Sequence, residues 1–286
     1  MVKINIRDKN FGGEPSSCHN GVNKYVEWEF NNTPTSNSCF ITDLCLLDVN
    51  KATNVKRKIA WILEPKAIHP GVYDWIEKNN QLFDFVLTFD LDLINKGENF
   101  LYYPHGRCWI NGKSEYINTD KYSVPVSYKK DKSCSIIASA KNFTPGHQLR
   151  HQIIQQFNTQ NLFDVYGYGY NPIDSKRQAL DRYKFSITIE NSIQPGYWTE
   201  KIVDCFATQT IPIFWGDSSI NEHFNANGII HFTTINELKQ ILNEINKNGH
   251  QIYNSKLKYI QENFQTVEKY RIPEDWLYIN YPFLFN

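Results

Sequence analysis

Short apolar segments alternate with amphipathic ones along most of the chain, and this alternation limits the possible folds more than any other feature of the sequence. "VKINI", "KIAWILEP", "FDFVLTFD" and "NFLYYPHG" read as strands in the first half. Between the second and third of these lies "GVYDWIEKNNQLF", where Val72, Trp75, Ile76 and Phe83 recur at roughly helical spacing. In the second half "SCSIIASA", "FDVYGYG", "YKFSITIE", "TIPIFWG" and "GIIHF" read as strands, while "TPGHQLRHQIIQQF", "TEKIVDCFA" and the stretch 234–264 read as helices. Thr144 is placed to cap, Pro145 suits a first helical position, and Leu149, Ile153 and Phe157 share one face. Repeated β-α-β order requires crossover connections, so an α/β fold with mostly parallel sheets is expected. The segment 111–132, "NGKSEYINTDKYSVPVSYKKDK", is polar and carries Gly and Pro. The inter-domain linker is expected there, giving domains 1–128 and 129–286, with the final residues packing back on the first.

The chain has 286 residues, enough for two modest cores, and its 30 basic residues balance 30 acidic ones. That balance argues against nucleic acid or anionic lipid as a partner held by bulk attraction, so any anion site must be local. "MVKINIRDKNFGG" lacks the apolar run of a signal peptide, and no stretch approaches the ~20 apolar residues of a membrane span. The expectation is a cytoplasmic protein without a membrane anchor. Six cysteines stand without CxxC spacing, several within apolar runs, and are expected to be reduced and packed.

The stretch "ENSIQPGYWTEKIVDCF" (190–206) carries an oddity of charge. Glu190 ends a strand, Thr199 caps the next helix, and Glu200 and Lys201 fill its first turn. Glu200 suits the positive end of the helix dipole, whereas Lys201 opposes it by a few tenths of a kcal/mol. A doubly charged anion bound at this point would account for the lysine. Arg150 occupies the corresponding helix one strand earlier, so the two cations together outline a diphosphate clamp at the carboxyl edge of a parallel sheet. Two solvated helix-face cations would satisfy the spacing equally well.

"YKFSITIENSIQPGYWTEKIVDCFATQTIPIFWGD" (183–217) resembles the signature of the α1,3/α1,4-fucosyltransferase family, which reads approximately Y-K-F, F-E-N-S, Y-x-T-E-K and P-I/V-x-x-G. The resemblance extends through "GIIHF" and back to Arg150 in "HQLRHQIIQQF". In the first half, "ILEPKAIHPG" is similar to the family's strand ending in glutamate, and "NFLYYPHG" to its strand ending in P-Y-G, with His105 in place of the tyrosine. The resemblance implies a GT-B architecture, with a Rossmann-like acceptor-side domain and a Rossmann-like nucleotide-sugar domain facing across a cleft. It also implies inverting transfer of L-fucose from GDP-fucose to a glycan acceptor. Carried over, Glu64 is the general base, Arg150 and Lys201 hold the diphosphate, and Glu200 binds donor hydroxyls. Glu190, Asn191 and Tyr197 shape that pocket. No metal is required, and added Mg²⁺ or Mn²⁺ would help only electrostatically.

Other signals are weaker. Asp90 and Asp92 in "DLD" match the short motif by which another glycosyltransferase class holds a divalent metal, but no second acidic cluster is nearby. His147 and His151 lie four apart, as zinc ligands do, yet with no third ligand in view they read as a solvated helix face. "GYGYNP" lacks the third glycine of a dinucleotide fingerprint and reads as a strand-end turn. Most tryptophans read as core, with Trp198 set apart as a residue that could cover a ligand. Two alternatives stay open: the same fold serving another nucleotide sugar, and a binding protein without catalysis.

Overall fold

The computed structural model describes residues 1–18, 21–30, 36–110 and 129–286, so most of the expected linker lies outside the described residues. The chain divides into two units. The first holds Met1–Arg107, Gln194–Tyr197 and Lys269–Asn286, and the second holds Cys108–Ile193 and Trp198–Glu268. Entry into the second unit therefore comes at Cys108, well before the expected position. The reason is local: Asp204 accepts hydrogen bonds from the backbone N–H groups of Trp109 at 2.7 Å and Ile110 at 3.2 Å.

The first unit is built on β1 (Val2–Arg7), β2 (Val26–Glu29), β3 (Ser38–Thr42), β4 (Arg57–Trp61), β5 (Phe85–Thr88) and β6 (Phe100–Tyr102), in the order β2-β1-β3-β4-β5-β6. All its pairings are parallel. The helices α1 (Pro70–Asn79) and α2 (Leu91–Ile94) follow β4 and β5. Neighbouring residues go to opposite faces, as the two-residue period of a strand demands. Ile41, Ala60 and Val86 pack with Val72, Tyr73 and Ile76 on one side. Phe40, Ile59 and Leu87 pack with Leu277, Leu284 and Phe285 of the C-terminal segment on the other. The C-terminal helix (Pro273–Asn280) is fixed by its fully buried Glu274, which accepts hydrogen bonds from Ser16 Oγ at 2.9 Å, Ser17 N at 2.6 Å and Trp28 Nε1 at 3.2 Å.

The second unit holds β7 (Lys132–Ile137), β8 (Asp164–Tyr166), β9 (Tyr183–Ile189), β10 (Ile211–Trp215) and β11 (Ile230–His231), in the order β11-β10-β9-β7-β8, again all parallel. The helices are α3 (Pro145–Phe157), α4 (Arg177–Leu180), α5 (Glu200–Ala207) and α6 (Ile235–Thr266). The central strand β9 alternates Tyr183, Phe185, Ile187 and Ile189 with Lys184, Ser186 and Thr188, and all but Lys184 are buried, so the strand is covered on both faces although one of them is polar in sequence. None of the described helices is long and apolar enough to cross a membrane. All six cysteines are free and buried, and burial pushes the Cys39 and Cys205 thiols up to about 11 and about 12, so they stay protonated.

Candidate functional site

Both sheets present a carboxylate just past the end of a central strand, and the two strand ends are built differently. In the second unit Ile189 closes β9 and Glu190 follows, fully buried. The Glu190 carboxylate accepts a hydrogen bond from Thr199 N at 2.8 Å and from Thr199 Oγ1 at 2.9 Å. Thr199 is the N-cap of α5, as its sequence position predicts, and its hydroxyl accepts from Lys201 N at 3.4 Å. The Lys201 ammonium lies 3.2 Å from Glu190 Oε2, 3.4 Å from Glu200 Oε1 and 3.0 Å from Thr199 Oγ1. The anion that Lys201 calls for is thus the Glu190 carboxylate in this structure. A cation in the first turn is tolerable because it neutralises a charge buried at the strand end.

Arg150, one helix away, grips the same turn. Its guanidinium donates to Ile189 O and, at 3.1 Å, to Asn191 Oδ1. The approach of α3 to this turn demands a glycine. Gly146 N donates to Asn191 O at 2.9 Å, and a Cβ on Gly146 would stand 1.7 Å from Glu190 O. Arg150, Glu190, Asn191, Glu200 and Lys201 are therefore gathered at one strand end. His147 joins them, which corrects the expectation of a solvated face: it is 5% exposed, and its Nδ1 has no hydrogen-bond partner among the described residues. Burial pushes the imidazole down to about 4, aided by the charges of Arg150, Lys141, Lys201 and His151, so it is neutral at pH 7. The buried Ser192 Oγ likewise lacks a partner among the described residues. His151 turns elsewhere, to Tyr170 Oη and Lys141 O.

A third cation, unmarked in the sequence, extends the cluster. Lys176 lies 2.7 Å from Asp204 Oδ2 and 3.5 Å from Glu200 Oε1, with its ammonium 4.3 Å from the centre of the Trp109 ring. Burial works against its charge, but Asp204 and Glu200 overcome that and hold it above the ordinary lysine range. Trp198, set apart as a residue that could cover a ligand, is instead fully buried core. Its ring lies 5.0 Å from that of His223 and 5.8 Å from that of Phe224.

In the first unit β4 ends at Trp61, and the chain continues through Ile62 and Leu63 to the half-buried Glu64. Tyr73 of α1 donates its hydroxyl to Glu64 O at 3.0 Å. Gln194 accepts from Lys66 N at 2.9 Å and donates to Tyr73 Oη at 3.1 Å and Asp90 Oδ2 at 2.7 Å. Asp43, next after β3, accepts from Leu63 N at 2.8 Å and Glu64 N at 3.4 Å. Asp90 caps α2 by accepting from Asp92 N at 2.8 Å and Leu93 N at 3.0 Å, so the "DLD" motif is a helix cap. No cluster of three metal-ligating side chains occurs among the described residues. Tyr197 belongs to this unit: it is fully buried, its ring 5.2 Å from that of Phe89 and 5.7 Å from that of His105. Gly196 before it has φ +85°, and a Cβ there would stand 2.1 Å from Phe89 O.

Residues 127–276, more than half of the chain, match the model of the glycosyltransferase family 10 (fucosyltransferase) C-terminal domain. An α-(1,3)-fucosyltransferase, FucT, of Helicobacter pylori is 35% identical over 95 residues, which is 33% of this chain and 20% of that one. The matched segment is thus a fifth of the bacterial enzyme's length. The human 4-galactosyl-N-acetylglucosaminide 3-α-L-fucosyltransferase 9 is 24% identical over 273 residues, covering 85% of this chain and 73% of its own. A crystal structure of an α1,3-fucosyltransferase with GDP superposes with a TM-score of 0.58 at 19% identity, over 96% of this chain and 92% of that one. At such identity the likeness speaks for the fold, which is of the GT-B type.

Proposed function

The chain belongs to glycosyltransferase family 10, the fucosyltransferases, and from that premise we propose that it transfers L-fucose from GDP-fucose to a hydroxyl of a glycan acceptor with inversion at the anomeric carbon. The observation that carries this reading is the cluster at the end of β9. Two cations, Arg150 and Lys201, meet the same three-residue turn at the N-terminus of a helix, and His147 Nδ1 and Ser192 Oγ in the same region have no partner among the described residues.

In this reading the donor diphosphate takes over the role that carboxylates play for Lys201. As the bond from the anomeric carbon to the β-phosphate oxygen breaks, charge gathers on the departing GDP, and the Arg150 guanidinium and Lys201 ammonium stabilise it there. Glu200, held between Lys176 and Lys201, binds donor hydroxyls in this reading. Glu190 and Asn191 hold the turn, while Tyr197 is buried in the first unit against Phe89 and His105. Glu64 takes the acceptor proton as the new C–O bond forms, and direct displacement inverts the anomeric carbon. The clamp supplies the charge that a metal supplies elsewhere.

Thermal-shift titration with GDP, GDP-fucose, GDP-mannose and UDP-sugars, with and without Mn²⁺, tests the donor. Stabilisation by GDP and GDP-fucose in the absence of metal is expected, because a ligand that binds only the native state raises its stability. A preference for UDP-sugars, or stabilisation that needs Mn²⁺, would overturn the reading of the clamp.

A further inference from the structure

The carboxyl group of Asp43 is fully buried, and the reaction as described leaves it unused. Its backbone stands at φ +31°, in the left-handed region where side chains other than glycine are scarce and Asp and Asn are the best tolerated. β3 and β4 are parallel neighbours with Thr42 opposite Trp61, so Asp43 lies past one strand end beside the chain that leaves the other. One of its oxygens accepts from the N–H groups of Leu63 and Glu64, and the other accepts from the Asn10 side-chain amide. The Glu64 backbone is thereby held on both sides, its N–H by Asp43 and its carbonyl by Tyr73, while Gln194 holds Lys66 two residues on.

We propose that Asp43 is a positioning residue for Glu64: it fixes the backbone that carries the base and sets a second carboxyl group beside it. The inference rests on the reading of Glu64 as the base. An asparagine could accept the bonds from Leu63 and Glu64 without placing a carboxyl group in the interior, so those two bonds alone do not account for an aspartate. Burial, with the Glu64 charge adding to it, pushes Asp43 up to about 7. Around it stand the Glu64 carboxylate from the end of β4, the neutral amide of Asn10 from the loop after β1, and Tyr73 of α1, whose phenol is kept protonated first by burial. Below neutral pH Asp43 is protonated and adds no charge beside Glu64. Above it, the ionised Asp43 makes Glu64 a stronger proton acceptor.

The test compares the intact wild-type chain with Asp43→Asn, Asp43→Ala and Glu64→Gln. Carboxyl-carbon NMR titration needs no acceptor substrate. A resonance absent from Asp43→Asn should titrate near neutrality. The resonance absent from Glu64→Gln should show two steps in wild type, of which Asp43→Asn keeps only the lower. Turnover of GDP-fucose in a glycan screen supplies the second readout: for Asp43→Asn, kcat should fall about tenfold with the donor KM unchanged, and the rise in rate across pH 7 should vanish. Asp43→Ala, which also loses the N–H bonds, should fall further. A Glu64 titration identical in wild type and Asp43→Asn overturns the pairing and leaves Glu64 standing as the base. Full turnover by Glu64→Gln instead removes the base and the inference with it.

Discussion

The two strand ends carry the same kind of group in opposite electrostatic settings. Past β9, the buried Glu190 is met by the Lys201 ammonium, and Glu200 by both Lys176 and Lys201. Past β3 and β4, Asp43 is held by backbone N–H groups and an amide, with Glu64 adding a like charge. The first arrangement makes charge tolerable in the interior and leaves cations ready to change partners when an anion arrives. The second makes charge costly, which raises proton affinity. An anion clamp and a proton acceptor can therefore both be built from strand-end carboxylates on parallel sheets, and the neighbours decide which results.

The comparison is broken most sharply by Glu64→Gln. If the strand end past β4 handles protons, this variant should lose transfer by roughly 10²- to 10⁴-fold while GDP affinity stays at the wild-type level. A parallel loss of GDP affinity would mean that Glu64 serves binding, and the two strand ends would no longer differ in kind.

Lys201→Ala comes next. GDP affinity should fall by about tenfold or more through loss of a charge-assisted contact. Stability should also fall, by about 2 kcal/mol, because buried Glu190 loses its counter-ion. Adding Glu190→Gln should restore the stability and leave the affinity low, since the amide can still accept from Thr199 and carries no charge to compensate. Wild-type affinity in Lys201→Ala, measured by calorimetry, would reduce Lys201 to a structural counter-ion.

How much of this the sequence disclosed follows the range over which each signal acts. The α/β order, the helix starts at Pro145 and Glu200 and the strand "YKFSITI" were legible, because caps and apolar runs are local. β2 and β3 were passed over: "VEWE" and "SCFIT" are too short and too mixed in polarity to stand out. Missing β3 hid Asp43, whose meaning depends on the neighbouring strand. Arg150, Glu190, Asn191, Glu200 and Lys201 are marked in the sequence and lie together, but the partner of Lys201 is not, since an ion pair to a residue eleven positions away leaves no periodic trace. Lys176, Asp204 and Gln194 escaped for the same reason. Helical spacing does not say which face a neighbouring turn will cover, so the burial of His147 is not legible in it.

The smallest expected effect concerns pH, and it has opposite signs at the two strand ends. Asp43, raised from 3.8 to about 7 in the fold, binds more protons folded than unfolded between those values. Its contribution to stability is fully present below the lower value and is lost as pH rises through the upper one. His147, lowered from 6.5 to about 4, binds fewer protons folded than unfolded in that interval, so its contribution is lost as pH falls through it. Melting curves of His147→Gln should therefore converge with wild type at pH 7.5 and lie above it at pH 4.5, by a few degrees for roughly 1–2 kcal/mol. GDP sharpens the point. A diphosphate beside the imidazole favours its protonated form, so the thermal shift produced by GDP should grow from pH 7.5 to pH 5.5 in wild type and stay nearly flat in His147→Gln. Equal pH dependence in the two proteins would place His147 away from the anion and leave Arg150 and Lys201 to hold it alone.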